Sequence, residues 1–181
     1  MTQQQIRTVI DNADIARREG RLHDADDLLR DAVTQSLNLD DTALFAESLR
    51  KLAQIKRDLE ETSDAVFLYG EALTLYQQLD EGRWIAYCRR HLGDIQRETG
   101  DFIAAESNLL TALEHFREPE HFDPLTVANI LRPLALLNDT LGRTDRATAF
   151  WSEALVCYSE AKVEAGIAEC RAHLDSYSPS Q

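Results

Sequence analysis

Apolar residues recur at the three- and four-residue spacing of amphipathic helices along almost the whole chain, and the interruptions come at regular intervals. The stretch "HLGDIQRETGDFIAAESNLLTAL" (91–113) is representative: a helical pattern runs to Gly100, then a second one starts. Reading the chain this way predicts helices at 3–18, 42–59, 82–99 and 124–141, here called A helices. B helices follow at 23–38, 63–79, 102–117 and 144–161, and a last helix at 162–176. Asp123-Pro124 reads as an N-cap followed by proline at the first helical position. Thr62-Ser63 reads as the cap of the second B helix. The tail Ser178-Pro179-Ser180-Gln181 is expected to fray.

The pattern repeats. Asn12-Ala13, Leu52-Ala53, Leu92-Gly93 and Leu134-Ala135 stand 40 to 42 residues apart, with Leu174 after them. At matching offsets come Gly20, Glu60, Gly100 and Gly142, then Ala25, Ala65, Ala105 and Ala147. Leu29, Tyr69, Leu109 and Trp151 follow, and each unit closes on Ala-Val or Ala-Leu (32–33, 72–73, 112–113, 154–155). Small residues at fixed positions suit close helix packing. Gly93 is therefore read as a packing residue, and Gly100 as the left-handed end of a helix. A phosphate-binding loop does not fit, because the spacing, the Lys-Ser/Thr pair and the preceding strand are all missing.

These residues resemble the tetratricopeptide repeat, with its L-G, G, A and A-L positions in register over four units. The resemblance implies an all-α solenoid, a right-handed superhelix of four helix pairs (3–40, 41–80, 81–121, 122–161) and a capping helix at 162–176, in one domain spanning 1–181. The period is longer than the usual 34 residues, the terminal proline is absent, and the usual aromatic residues of the A helix are replaced. The longer form looks like the extended repeats of bacterial regulators and kinesin-light-chain-like proteins. HEAT-type repeats share the period without this register and stay open as an alternative. The capping helix repeats "AYCRRHL" (86–92) as "AECRAHL" (168–174), with Glu164, Glu169, Arg171 and Asp175 expected on its outer face.

The net charge of −13 argues against general affinity for nucleic acid or an anionic membrane. No segment reaches the ~20 apolar residues that span a bilayer, and the first 20 residues lack the layout of a signal peptide. Cys88, Cys157 and Cys170 form no CxxC motif and read as reduced, packed thiols of a cytoplasmic protein. His91 and His173 hold equivalent positions and read as structural. "EHFREPEHFD" (114–123) brings His115, His121, Glu114 and Glu120 near a loop, but no zinc spacing is met. No nucleophile or cofactor motif appears, so neither an enzyme nor a cofactor or metal is expected.

In tetratricopeptide domains the A helices line a concave groove, through positions 2, 5, 9, 12 and 13 of the repeat. Carried over, these are Arg7, Ile10, Asp14, Arg17 and Arg18, then Glu47, Arg50, Gln54, Arg57 and Asp58. The third unit supplies Tyr87, Arg90, Asp94, Arg97 and Glu98, and the fourth Asn129, Arg132, Leu136, Asp139 and Thr140. Eight of these are Arg and six acidic, a positive balance in an acidic chain. The resemblance thus implies a non-enzymatic scaffold that binds a peptide or protein, with Arg50, Arg57, Tyr87, Arg90, Asp94, Arg97, Asn129 and Arg132 as groove residues. Two readings of the arginines stand side by side: a lattice of ion pairs along each helix, or a row that meets an acidic segment. The carboxylate clamp of some relatives is only half met, since Asp14, Gln54, Asp94 and Leu136 replace its Asn. A sensory or regulatory domain that takes a small ligand or partner domain is the alternative function. A monomer is expected, with weak dimerisation left open.

Overall fold

The computed structural model describes residues 1–177; the predicted fraying of Ser178–Gln181 lies outside them. The described residues form nine α-helices and no strand: α1 (Gln3–Arg18), α2 (Leu22–Asn38), α3 (Thr42–Asp58), α4 (Thr62–Gln78), α5 (Gly82–Thr99), α6 (Phe102–Arg117), α7 (Pro124–Thr140), α8 (Thr144–Glu160) and α9 (Glu164–Ser176). The odd-numbered helices α1 to α7 are the predicted A helices, and the ends agree within two residues. None of the helices is long and apolar enough to cross a membrane.

Local chemistry sets the ends. Asp41, Asp101 and Asp123 each accept a backbone N–H from the first turn of the helix that follows. Pro124 stands where its missing N–H costs nothing. The second B helix departs from expectation: Thr62 is already helical, Glu61 precedes it, and no side chain caps it. Gly20, Gly100 and Gly142 close three A helices with φ of +76°, +88° and +66°. Glu60 takes the same left-handed role in the second repeat at φ +62°.

The chain divides into two compact units, Met1–Cys88 and Arg89–Gln181, with the division inside α5. In the first, α1 packs on α2, α2 on α3, α3 on α4, and α1 also touches α3. Its core joins Ile6, Ile10, Leu29, Leu44, Leu52 and Ile55 around the small residues Ala13, Ala16, Ala25 and Ala32. In the second, α6 packs on α7, α7 on α8, and α8 on α9. Here Leu109, Leu113, Ile130, Leu131, Leu134 and Trp151 are fully buried. Gly93 has the predicted packing role: a Cβ there would lie 2.7 Å from Leu109 Cγ and 3.1 Å from the Ala105 carbonyl oxygen. The three cysteines are buried, and none is joined to another.

Candidate functional site

α1 and α3 are tied together by polar side chains about one repeat apart. In the first unit Arg7 reaches Glu47 at 3.2 Å, Arg17 pairs with Asp58, and Lys51 pairs with Asp14. Most of these partners belong to the expected groove positions. The ion pairs run from helix to helix, whereas the lattice reading placed them along single helices. That intrahelical form occurs in the second unit, where Arg97 meets Asp94 at 3.0 Å and Glu98 at 3.2 Å.

Arg50 is not the exposed contact that the groove positions imply. It is 4% exposed. Its guanidinium carbon lies 4.1 Å from the centre of the Trp84 ring and 5.0 Å from that of Tyr87, while Nε donates to Tyr76 Oη at 3.3 Å. A guanidinium is weakly hydrated and stacks well on aromatic faces, so this cage suits arginine and not lysine. Tyr87 is fixed in turn, its hydroxyl donating to Gln54 Oε1 at 2.7 Å. Burial pushes the Tyr76 hydroxyl up to about 12 and the Cys88 thiol up to about 12, so neither ionises near neutrality.

Arg132 holds the same repeat position on α7 and makes a different contact. It donates to both oxygens of Glu169 on α9, at 2.7 and 2.8 Å. Glu169 is thereby drawn off the outer face of the last helix, where the sequence placed it. Arg50 meets Tyr87 and Arg132 meets Glu169 by one rule: position 5 of an A helix faces position 2 of the next. The signal lay in the "AYCRRHL" and "AECRAHL" echo, which makes Tyr87 and Glu169 equivalent. Asn129 accepts from the Tyr158 hydroxyl at 3.0 Å. Asp139 collects Trp151 Nε1 at 2.9 Å, the Tyr177 hydroxyl, and His173 Nδ1 at 3.2 Å, while the His173 ring stacks on Trp151 with centres 4.1 Å apart. Arg90 contacts the neighbouring His91 ring. Arg57 and Arg90 each have further partners.

A recess of about 300 Å³ opens beside the cage in the first unit. Its lining combines Trp84, Tyr76, Leu79 and Ala43 with the charged Arg7, Glu47 and Glu81. Trp84 and Tyr76 were not among the expected groove residues. In the second unit, His115, Glu118 and His121 cluster at the end of α6. Burial, and then the nearby His121, lower the pKa of His115, which favours its neutral ring. The sequence places Glu114 and Glu120 beside these histidines; the structure adds Glu118 and keeps Glu120 3.8 Å from His121.

Solved structures share this fold. The crystal structure of BtubC (BKLC) from P. vanneervenii matches with a TM-score of 0.70 at 21% identity, over 93% of this chain and 80% of that one. A putative kinesin light chain with nearly identical TPR-like repeats from Podosopora anserina gives 0.60 at 13% identity, over 97% and 98% of the two chains. MamA protein gives 0.60 at 17% identity, over 99% of each. No family model matches the chain, and the search of curated proteins finds no match. The likeness shows an all-α, tetratricopeptide-like helical-repeat fold.

Proposed function

We propose that the protein is a non-enzymatic scaffold that receives a peptide or protein partner on surfaces that the A helices build within each unit. The observation that carries this reading is the recess beside Trp84, because it combines an aromatic wall, a charged rim and room for one partner side chain. The fold supports it, since stacked helix pairs offer extended surfaces of this kind. Arg90 and Arg132 are where an acidic partner segment would bind, with Glu169 as its intramolecular competitor at Arg132.

The test is affinity purification of the full chain from its native host, followed by titration of the captured partner against two variants. Ala43→Arg fills the recess from an exposed helical position. Arg132→Glu reverses the charge that Glu169 now holds. Loss of binding at an unchanged melting temperature in Ala43→Arg supports the recess as an anchor. Undiminished affinity in both variants rejects both surfaces.

A further inference from the structure

The connection after α6 gathers three side chains of metal-binding type. His115 stands in the last turn of the helix, Glu118 caps it, and His121 follows in the connection to α7. Each offers one donor atom, and the three donor atoms lie within 4.8 Å of one another. The backbone holds this arrangement, since the Glu118 N–H donates to the His115 carbonyl at 3.3 Å and the His121 N–H to the Glu118 carbonyl at 2.9 Å. The two imidazole rings lie face to face, 4.3 Å between centres and 20° apart. His115 Nε2 is buried without a hydrogen-bond partner among the described residues, an arrangement that costs stability unless another ligand satisfies it. His121 Nε2 stands 3.7 Å from Glu118 Oε2 and 3.8 Å from Glu120 Oε1, too far for hydrogen bonds.

We propose that His115, Glu118 and His121 bind one divalent cation of the zinc type and so clip the α6–α7 connection to the end of α6. Two imidazole nitrogens and a carboxylate oxygen suit zinc and its late first-row neighbours, whereas magnesium and calcium prefer all-oxygen sites. The C-terminal end of a helix carries partial negative charge, which adds to the attraction. Bonds of ~2.0–2.1 Å place tetrahedral ligands ~3.4 Å apart, and an imidazole binds through a lone pair in its ring plane, so on binding the trio closes by roughly 1 Å and the His121 ring turns out of its stack on His115. Glu118 is exposed and His121 lies in the connection, so the movement falls on them while His115 stays on its helix. The spacing His-x2-Glu-x2-His sets the first two ligands on one helix face and leaves the third to the turn.

The experiment titrates Zn²⁺ alone into the chelator-treated full chain by calorimetry and records the melting temperature. One saturable site per chain and a raised melting temperature are expected. His121→Ala and Glu118→Gln should each weaken binding by about tenfold or more and remove the thermal shift, with the helical circular dichroism retained. His115→Ala also opens space beside Phe116, so the two variants outside the helix decide the matter. Absence of saturable binding up to about 1 mM Zn²⁺, affinity unchanged in both variants, or a site that disappears only when the cysteines are blocked would each overturn the proposal.

Discussion

Lys56 in the first unit and Asn138 in the second occupy the same slot of the A helix, and both are buried. Lys56 solves its burial with charge: Nζ meets Asp26 at 2.8 Å and Glu61 at 2.6 Å, and Asp26 also takes Arg30 at 2.7 Å. Asn138 solves it locally, with Nδ2 donating to the Leu134 carbonyl at 2.7 Å, while its Oδ1 has no hydrogen-bond partner among the described residues. The Arg50 and Arg132 pair shows the same divergence, one in an aromatic cage and one on a carboxylate. One repeat geometry thus accepts different chemistry, because each buried side chain draws its partners from its own neighbourhood.

The largest effect should come from the Lys56 slot. Lys56→Met leaves Asp26 and Glu61 without their shared cation and should cost about 3 kcal/mol, at the low end for a broken buried pair because Arg30 remains. Asn138→Leu removes an amide whose oxygen is already unpartnered, and should change stability by less than ~1 kcal/mol. Urea titration of both variants checks this, and equal losses would break the contrast.

Glycines give the next test. Gly93→Ala drives a methyl group into Leu109, and should destabilise by about 1–3 kcal/mol. Gly70→Ala, in α4 with open space around it, should stabilise by about 0.5–1 kcal/mol through helix propensity. Stabilisation by both would mean that α5 and α6 do not pack as closely as described.

Acid should act on both units through one carboxylate each. Burial alone would raise the pKa of Asp26, but hydrogen bonds from Arg30 and Lys56 outweigh it and hold the group below its ordinary value. Glu106 is lowered in the same way, with Arg143 and Arg146 outweighing burial. A depressed folded pKa means stability that is present above the unfolded value, near pH 4, and lost as pH falls further. Melting temperature followed from pH 7 to about pH 2 should therefore drop on the acid side, and less steeply in Asp26→Asn and in Glu106→Gln. An unchanged acid slope in Asp26→Asn would remove the ion pair from the account of the first unit.

The smallest effect concerns the left-handed helix ends. Glu60→Gly relieves a side chain held at φ +62°, and should stabilise by up to about 1 kcal/mol. Gly100→Ala at φ +88° should destabilise by a similar ~1 kcal/mol. Thermal melts of the two variants moving in the same direction would show that the ends are not equivalent.

The sequence by itself determined the helices, their register and most of the core. Ala25, Ala65, Ala105 and Ala147, and the large Tyr69 and Trp151, recur at fixed offsets and are all fully buried. That information is local and periodic: a small residue every repeat marks a close contact wherever the chain folds back. The tertiary structure alone decided the partners of the polar side chains. Arg50 has a repeat position that reads as exposed, yet Trp84 and Tyr87 cover it, and Glu169 was read as solvent-facing until Arg132 claimed it. Long charged side chains reach neighbours on other helices, and which neighbour stands within reach depends on interhelical angle and distance, which periodicity does not encode.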